Sequence, residues 1–177
     1  MLKIIGYLAL GIVVLVAAIL VFATTRASEF RVERSIAIKA SPDKVAALID
    51  DFHNWPLWSP YEKLDPAMTR NISGAPAGKG AIYEWQGNSK AGQGRMEILD
   101  VAADKVTIKL DFIKPFEGHN VAEFTLAPTG DTTQVTWAMF GPTPYVAKVM
   151  GIFFSMDQMI GQDFEAGLAN LKTVAEK

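Results

Sequence analysis

Few residues in this chain could do chemistry, and their spacing removes most of the familiar mechanisms. His53 and His119 are the only histidines and there is no cysteine. That excludes disulfides, thiolate zinc sites and cysteine nucleophiles. A Ser–His–Asp arrangement would need an activated serine in a frame such as G-x-S-x-G, and none occurs. H-E-x-x-H and the calcium loop are also missing, and the two imidazoles are separated by most of the domain. No metal or cofactor is expected, and both histidines read as structural or surface residues. "GAPAGKG" (74–80) faintly echoes a phosphate loop. It is one residue short before Gly-Lys, ends in glycine where Ser or Thr should stand, and leads into a strand, so it reads as a loop between strands.

The acidic residues Glu84, Glu97, Asp111 and Glu123 alternate with apolar neighbours, the pattern of polar-out strand positions. Arg34 differs, because its parity matches the apolar Val32 and Ile36. A buried arginine needs a partner, and an edge position with the head in solvent is the alternative. The densest aromatic stretch is "DDFHNWPLWSPYEKLDP" (50–66). Trp55 and Trp58 each carry a large apolar area able to pin a corner. Either could also form a pocket wall.

These residues need elements to position them. "EFRVERSIAIKA" alternates as a half-buried strand. "SPDKVAALID" follows with Ser41 as N-cap and Pro42 at the first helical position. Proline after Trp55 and after Ser59 breaks any continuing helix through the aromatic corner. "GAIYEWQG", "GRMEILDV", "KVTIKLDFI", "NVAEFTLAP" and "TQVTWAMFG" read as successive strands joined by short turns, hence an antiparallel meander. Residues 143–177 read as helical. Met156, Ile160, Phe164, Leu168, Leu171 and Ala175 form the apolar stripe of a long amphipathic helix. Its Gly161 and Gly167 suggest close packing or a bend.

Composition separates the first 26 residues from the rest. Ile4 to Ala23 is an uncharged apolar run, and its ~30 Å of helix matches a hydrocarbon core. A cleavable signal has a shorter apolar region and a small-x-small site. Thr25-Arg26-Ala27 is a poor one, which favours a single-pass anchor in residues 1–26, in contact with the lipid bilayer through 4–23, and a domain in 27–177. The amino terminus and Lys3 favour an inside N-terminus, while Arg26, Arg31 and Arg34 pull the other way. The domain is expected on the outer, periplasmic side. Removing Lys3 from the 17 basic residues leaves 16 against 19 acidic ones. Without a basic surplus, no nucleic-acid partner is expected.

The ordered set "RSIAIKASPDKVAALIDDFHNWPLWSPYEKLDP", "GKGAIYEWQGN", "GQGRMEIL", "TQVTWAMFGP" and "MDQMIGQDFEAGLANLK" resembles the polyketide cyclase/dehydrase-like branch of the SRPBCC (START-like) superfamily. The likeness runs from about Phe30 to Glu176. It implies an α+β helix-grip fold, a curved antiparallel sheet wrapped around the C-terminal helix. It also implies a site for an apolar or amphipathic small molecule, such as a lipid, between sheet and helix. No shared catalytic residue comes with it.

Candidate lining residues on the sheet are Tyr83, Trp85, Phe112, Phe124, Trp137 and Met139, with Arg34 as the polar one. Trp55 and Trp58 come from the corner, and Met150, Phe153, Met156, Met159, Ile160 and Phe164 from the helical segment. The leading expectation is a membrane-anchored binder of a hydrophobic ligand. A cyclase or dehydratase using Asp111 or Glu123 for proton transfer, and a tethered interaction module with a filled core, are the rivals. The volume and lining of the space under the last helix decide between them.

Overall fold

Alternation with a period of two becomes a single seven-stranded sheet in the computed structural model, which describes residues 2–177, with side chains from residue 4. The strands are β1 (Glu29–Ile38), β2 (Thr69–Gly74), β3 (Ala81–Gln86), β4 (Gln93–Ala102), β5 (Lys105–Lys114), β6 (Gly118–Thr129) and β7 (Thr132–Pro142). Their order across the sheet is β1-β7-β6-β5-β4-β3-β2, antiparallel at every step. The helices are α1 (Leu2–Thr24), α2 (Pro42–Ile49), α3 (Tyr145–Met150) and α4 (Met156–Ala175). α4 lies across the sheet, chiefly against β1, with the aromatic corner beside it. This is the helix-grip arrangement.

Local chemistry sets the helix starts. Ser41 Oγ accepts from the Lys44 amide and Pro42 opens α2. Ser155 Oγ accepts from Gln158 in the same way and opens α4. The helical segment is thus two helices, with a break over residues 151–155. β2 is a strand that the sequence does not signal, because only Ile72 turns even partly inward.

The 74–80 loop is the β2–β3 connection. Gly74 takes φ +75°, and a Cβ there would strike the Gly80 carbonyl. The amides of Gly78 and Gly80 already donate to the carbonyls of Asp50 and Ile98, each at 2.8 Å. They are spent on folding, not on a phosphate.

The core divides along the strand direction. At one end Ile38, Val45, Ile98, Ile108, Val135 and Leu171 are wholly buried. At the other end the same inward parity leads to open space. Between the two stands an aromatic partition. Trp137 stacks on Phe164 at 4.0 Å and on Phe124 at 5.0 Å between ring centroids, with Trp58 edge-on to both Phe124 and Trp137.

Two glycines bring α4 close. A Cβ at Gly167 would lie 2.7 Å from Trp137 Cζ3 and 3.0 Å from Pro60 Cδ, and a Cβ at Gly161 would collide with the Arg34 guanidinium. Close approach, not a bend, explains both residues.

α1 projects from the domain and touches it near its C-terminal end, against α3. Its span from Ile4 to Thr24 is exposed over almost all its length, with Ala23 alone fully buried, and is long and apolar enough to cross a membrane. A signal sequence meets the same description.

Candidate functional site

The corner after α2 is built by a 3₁₀ helix, Phe52–Leu57. With three residues per turn, positions i and i+3 eclipse, so Phe52, Trp55 and Trp58 share one face, and all three are buried. The indole N–H of Trp55 donates to Ile49 O at 2.9 Å, and that of Trp58 to Leu48 O at 2.8 Å. Both tryptophans therefore pin the corner to the end of α2. Only Trp55 also faces the open end.

That open end is a cavity of about 770 Å³ between the sheet and α4. Its walls are Tyr83, Trp85, Phe112 and Met139 from the sheet, with Trp137 at the partition. Met156, Ile160 and Phe164 close it from α4, Trp55 from the corner and Met150 from α3. The hollow has a sequence cause. On β6 the inward positions run Ala122, Phe124, Leu126, so the side chain shrinks where the cavity begins. Trp85 lies flat over Gly94, where a Cβ would strike the indole, and its N–H donates to Ala91 O at 3.0 Å. The ring is thus held as wall instead of filling the space. Phe116, 70% exposed, and Val146, 62% exposed, line the mouth.

Five expected lining residues lie elsewhere, Arg34 among them. Trp58 and Phe124 form the far side of the partition, packed into the solid core. Phe153 is 62% exposed and borders a different cleft, with Arg26 and Phe154. Met159, named with them, is also exposed.

Arg34 does not reach the cavity, because β1 is an edge strand and α4 carries the acids that claim the guanidinium. Its Nε donates to Glu165 Oε1 at 2.7 Å, and Nη1 to Asp157 Oδ1 at 3.0 Å. These bonds push the arginine pKa further up and hold the Asp157 carboxyl below its ordinary range. Arg34 is a clamp between strand and helix.

Several polar groups on the cavity were not anticipated from sequence. Glu62 is held by Tyr83, whose hydroxyl donates at 2.6 Å, and by Arg70 Nε, also at 2.6 Å. Burial, reinforced by the bond to Glu62, pushes the Tyr83 phenol up and keeps it neutral. Asp163 lines the cavity too, and burial raises its carboxyl. The neighbouring Tyr61 phenol is raised by its own burial and by the Asp163 charge. Asp163 carried a readable signal, since it falls seven residues after Met156 and three after Ile160 on the same helix face. Glu62 carried none, because it stands in a single 3₁₀ turn, Pro60–Lys63, too short to show a periodicity. Ser59 Oγ, Trp137 Nε1 and Thr143 Oγ1 are buried, belong to cavity-lining residues, and have no hydrogen-bond partner among the described residues.

The carboxylates Asp111 and Glu123 are not in the lining. Glu123 faces Lys105 at 3.6 Å. His119 lies on β6, opposite Asp111 on β5, with Nδ1 2.8 Å from Asp111 Oδ1. Burial pushes Asp111 up, yet hydrogen bonds from Lys109 and His119 outweigh it and hold the carboxyl low. The bond to Asp111 raises the His119 imidazole. Because that folded-state value lies above the unfolded one, the pair's contribution is complete below about pH 6.5. It fades as pH rises through the folded value. The expected outcome is a urea midpoint that drops between about pH 6 and about pH 8 by a small amount, as suits an exposed pair. His119→Gln should flatten this drop, and equal slopes in both proteins would remove the pair from the account.

Comparison with known proteins agrees with this architecture. A family model described as "Polyketide cyclase / dehydrase and lipid transport" matches residues 29–176. Protein CV1439 from Chromobacterium violaceum shares the fold at 13% identity and TM-score 0.58, over 85% of this chain and 98% of that one. The Aha1 dimer from Colwellia psychrerythraea does so at 18% identity and TM-score 0.57, over 83% and 96%. The di-domain ARO/CYC StfQ from the steffimycin biosynthetic pathway aligns at 12% identity and TM-score 0.61, over 84% of this chain and 51% of StfQ. At such identities the likeness concerns fold alone. No curated protein matches the sequence. With the family model covering nearly the whole domain and the helix grip in place around a hollow, this chain belongs to the polyketide cyclase/dehydrase and lipid-transport family of the SRPBCC (START-like) superfamily.

Proposed function

We propose that this protein is a membrane-anchored carrier or receptor of an amphipathic, lipid-like small molecule, held in the cavity between sheet and α4. The observation that carries this reading is the cavity itself: about 770 Å³, walled by aromatic and methionine side chains, with a mouth at the surface. That size and lining suit a small-molecule site, and methionine adapts to ligands of varied shape.

The polar groups on the wall bear on the ligand. Glu62, Asp163 and the Tyr83 hydroxyl belong to the lining, so a polar end of the guest would meet them while its apolar body fills the rest. Ser59 Oγ, Trp137 Nε1 and Thr143 Oγ1 have no surface open to the hollow and stand behind its wall. In this reading α1 is an uncleaved anchor that leaves the domain on the outer side, and tethering keeps the cavity beside its ligand reservoir.

The test is native mass spectrometry of residues 27–177, purified without detergent from cells that make lipids of many classes. A bound lipid-sized adduct, extractable into organic solvent and displaced by an apolar fluorophore, is expected. A fragment that is folded, empty and indifferent to the fluorophore would end the proposal.

A cyclase or dehydratase reading has one observation in its favour, the burial-raised carboxyl of Asp163 on the cavity wall. A raised acid in a cleft is suited to hold and release a proton. Turnover abolished by Asp163→Asn with ligand binding intact would support that reading. Activity unaffected by the substitution would dismiss it.

A further inference from the structure

The fold leaves an apolar surface outside the cavity that neither the grip nor the aromatic corner uses. Phe153 and Phe154, in the α3–α4 connection, are each 62% exposed, as is Val146 on α3. Adjacent apolar side chains so displayed usually mark a partner. What covers them is indicated by their position relative to α1. Tyr145 Oη donates to the carbonyl of Leu20 at 2.8 Å, and Lys148 Nζ to Ser28 Oγ at 3.0 Å. Leu20 lies four residues before the end of α1, so Tyr145 sits ~6 Å inside the apolar span, at interfacial depth. Phe153 and Phe154 share a cleft of about 670 Å³ with Thr25, Arg26 and Ala27, the residues that follow the span. The exposed aromatics are therefore level with the point where α1 would leave a bilayer.

We infer that α3 and the α3–α4 connection dock on the surface of the membrane that α1 crosses, with Val146, Phe153 and Phe154 entering the headgroup and upper acyl region. Aromatic and aliphatic side chains with nearby Arg26 and Lys148 suit such a surface, although Glu29 in the same cleft lowers the net positive charge. A protein partner is less favoured, because the patch is at the one level of the molecule where lipid is already the neighbour. Docking has a consequence for the cavity. Val146 and Met150 also line its mouth, so the mouth would open onto lipid and a guest could pass between membrane and cavity without crossing water.

This inference rests on reading α1 as an anchor, but not on the cavity being occupied. The test uses the full chain in vesicles of phosphatidylcholine and phosphatidylglycerol. The absence of cysteine makes each introduced cysteine the only labelling site. An environment-sensitive fluorophore is placed at Val146→Cys, Phe153→Cys or Phe154→Cys, with Asp131→Cys as reference. Asp131 lies at the β6–β7 turn, the opposite end of β6 from the mouth, and its side chain is 77% exposed.

Lipids carrying a nitroxide on the upper acyl chain should quench the three test sites several-fold more than position 131. Phe153→Asp combined with Phe154→Asp should abolish quenching at 146 while far-ultraviolet circular dichroism stays unchanged. Test sites quenched no more than position 131, in a chain that floats with the vesicles, overturn docking and leave the anchor standing. A blue-shifted but unquenched label means that protein covers the patch, and also overturns it. A chain that does not float overturns anchor and docking together. Cavity occupancy, read by mass spectrometry on the same sample, reports separately on the ligand proposal.

Discussion

Trp58→Ala is expected to be the most damaging single substitution in the domain, costing about 3–5 kcal/mol. Trp58 is 1% exposed and joins three parts of the molecule. Its N–H holds the end of α2 through Leu48 O, and its ring meets Trp55 at 4.9 Å, Trp137 at 5.6 Å and Phe124 at 5.9 Å. Alanine would leave a void in the aromatic partition and deprive the part-buried Leu48 carbonyl of its donor. Against a total of about 5–15 kcal/mol for an ordinary domain, that loss is a large share. At ~2–4 °C per kcal/mol for a chain of this size, melting should fall by roughly 6–20 °C. Trp58→Phe separates the two contributions, since it keeps most of the packing and loses a hydrogen bond of about 1 kcal/mol. An alanine variant that unfolds within about 1 kcal/mol of the parent would show that the partition does not brace the fold.

The same residue shows how far the sequence could be read. Trp55 and Trp58 are three residues apart, and the 3₁₀ helix sets them on one side. Spacing could not say that the cavity begins between them. Likewise Val106, Ile108, Leu110 and Phe112 alternate identically on β5, yet the first two are in solid core and the last two at the cavity. Parity fixes which face a side chain takes, while depth along the strand depends on how far the facing helix and its neighbours extend.

Arg34 illustrates a second limit. Its inward parity was legible, but its partners Asp157 and Glu165 lie on α4, more than a hundred positions away. The strands with one buried face were readable because water on the other side enforces alternation. β2 was not, because an edge strand with a single half-buried residue has no such constraint. The break before α4 did leave a mark, the Ser155-x-x-Gln158 start signal, which the continuous apolar content around it obscured.

Filling the cavity should separate ligand binding from folding more sharply than any removal of a wall. Ala122 on β6 and Met139 on β7 are register partners, and both line the hollow. In a packed core, Ala122→Phe would force neighbours aside at a cost of about 1–3 kcal/mol. Here the ring enters empty space, where burying it contributes up to ~1.5–3 kcal/mol. Ala122→Phe, alone and with Met139→Trp, is therefore expected to melt at or above the parent temperature.

Binding should move the other way. A guest deprived of its space must leave or bind strained, and each loss of ~1.4 kcal/mol is tenfold in affinity. Fluorophore affinity should fall at least about tenfold in the single variant, and lipid should no longer co-purify with the double one. A folded double variant that still carries lipid would place the guest outside this hollow, and the functional reading would go with it. A single variant that fails to fold would show instead that the region is already full, removing the physical basis for any guest.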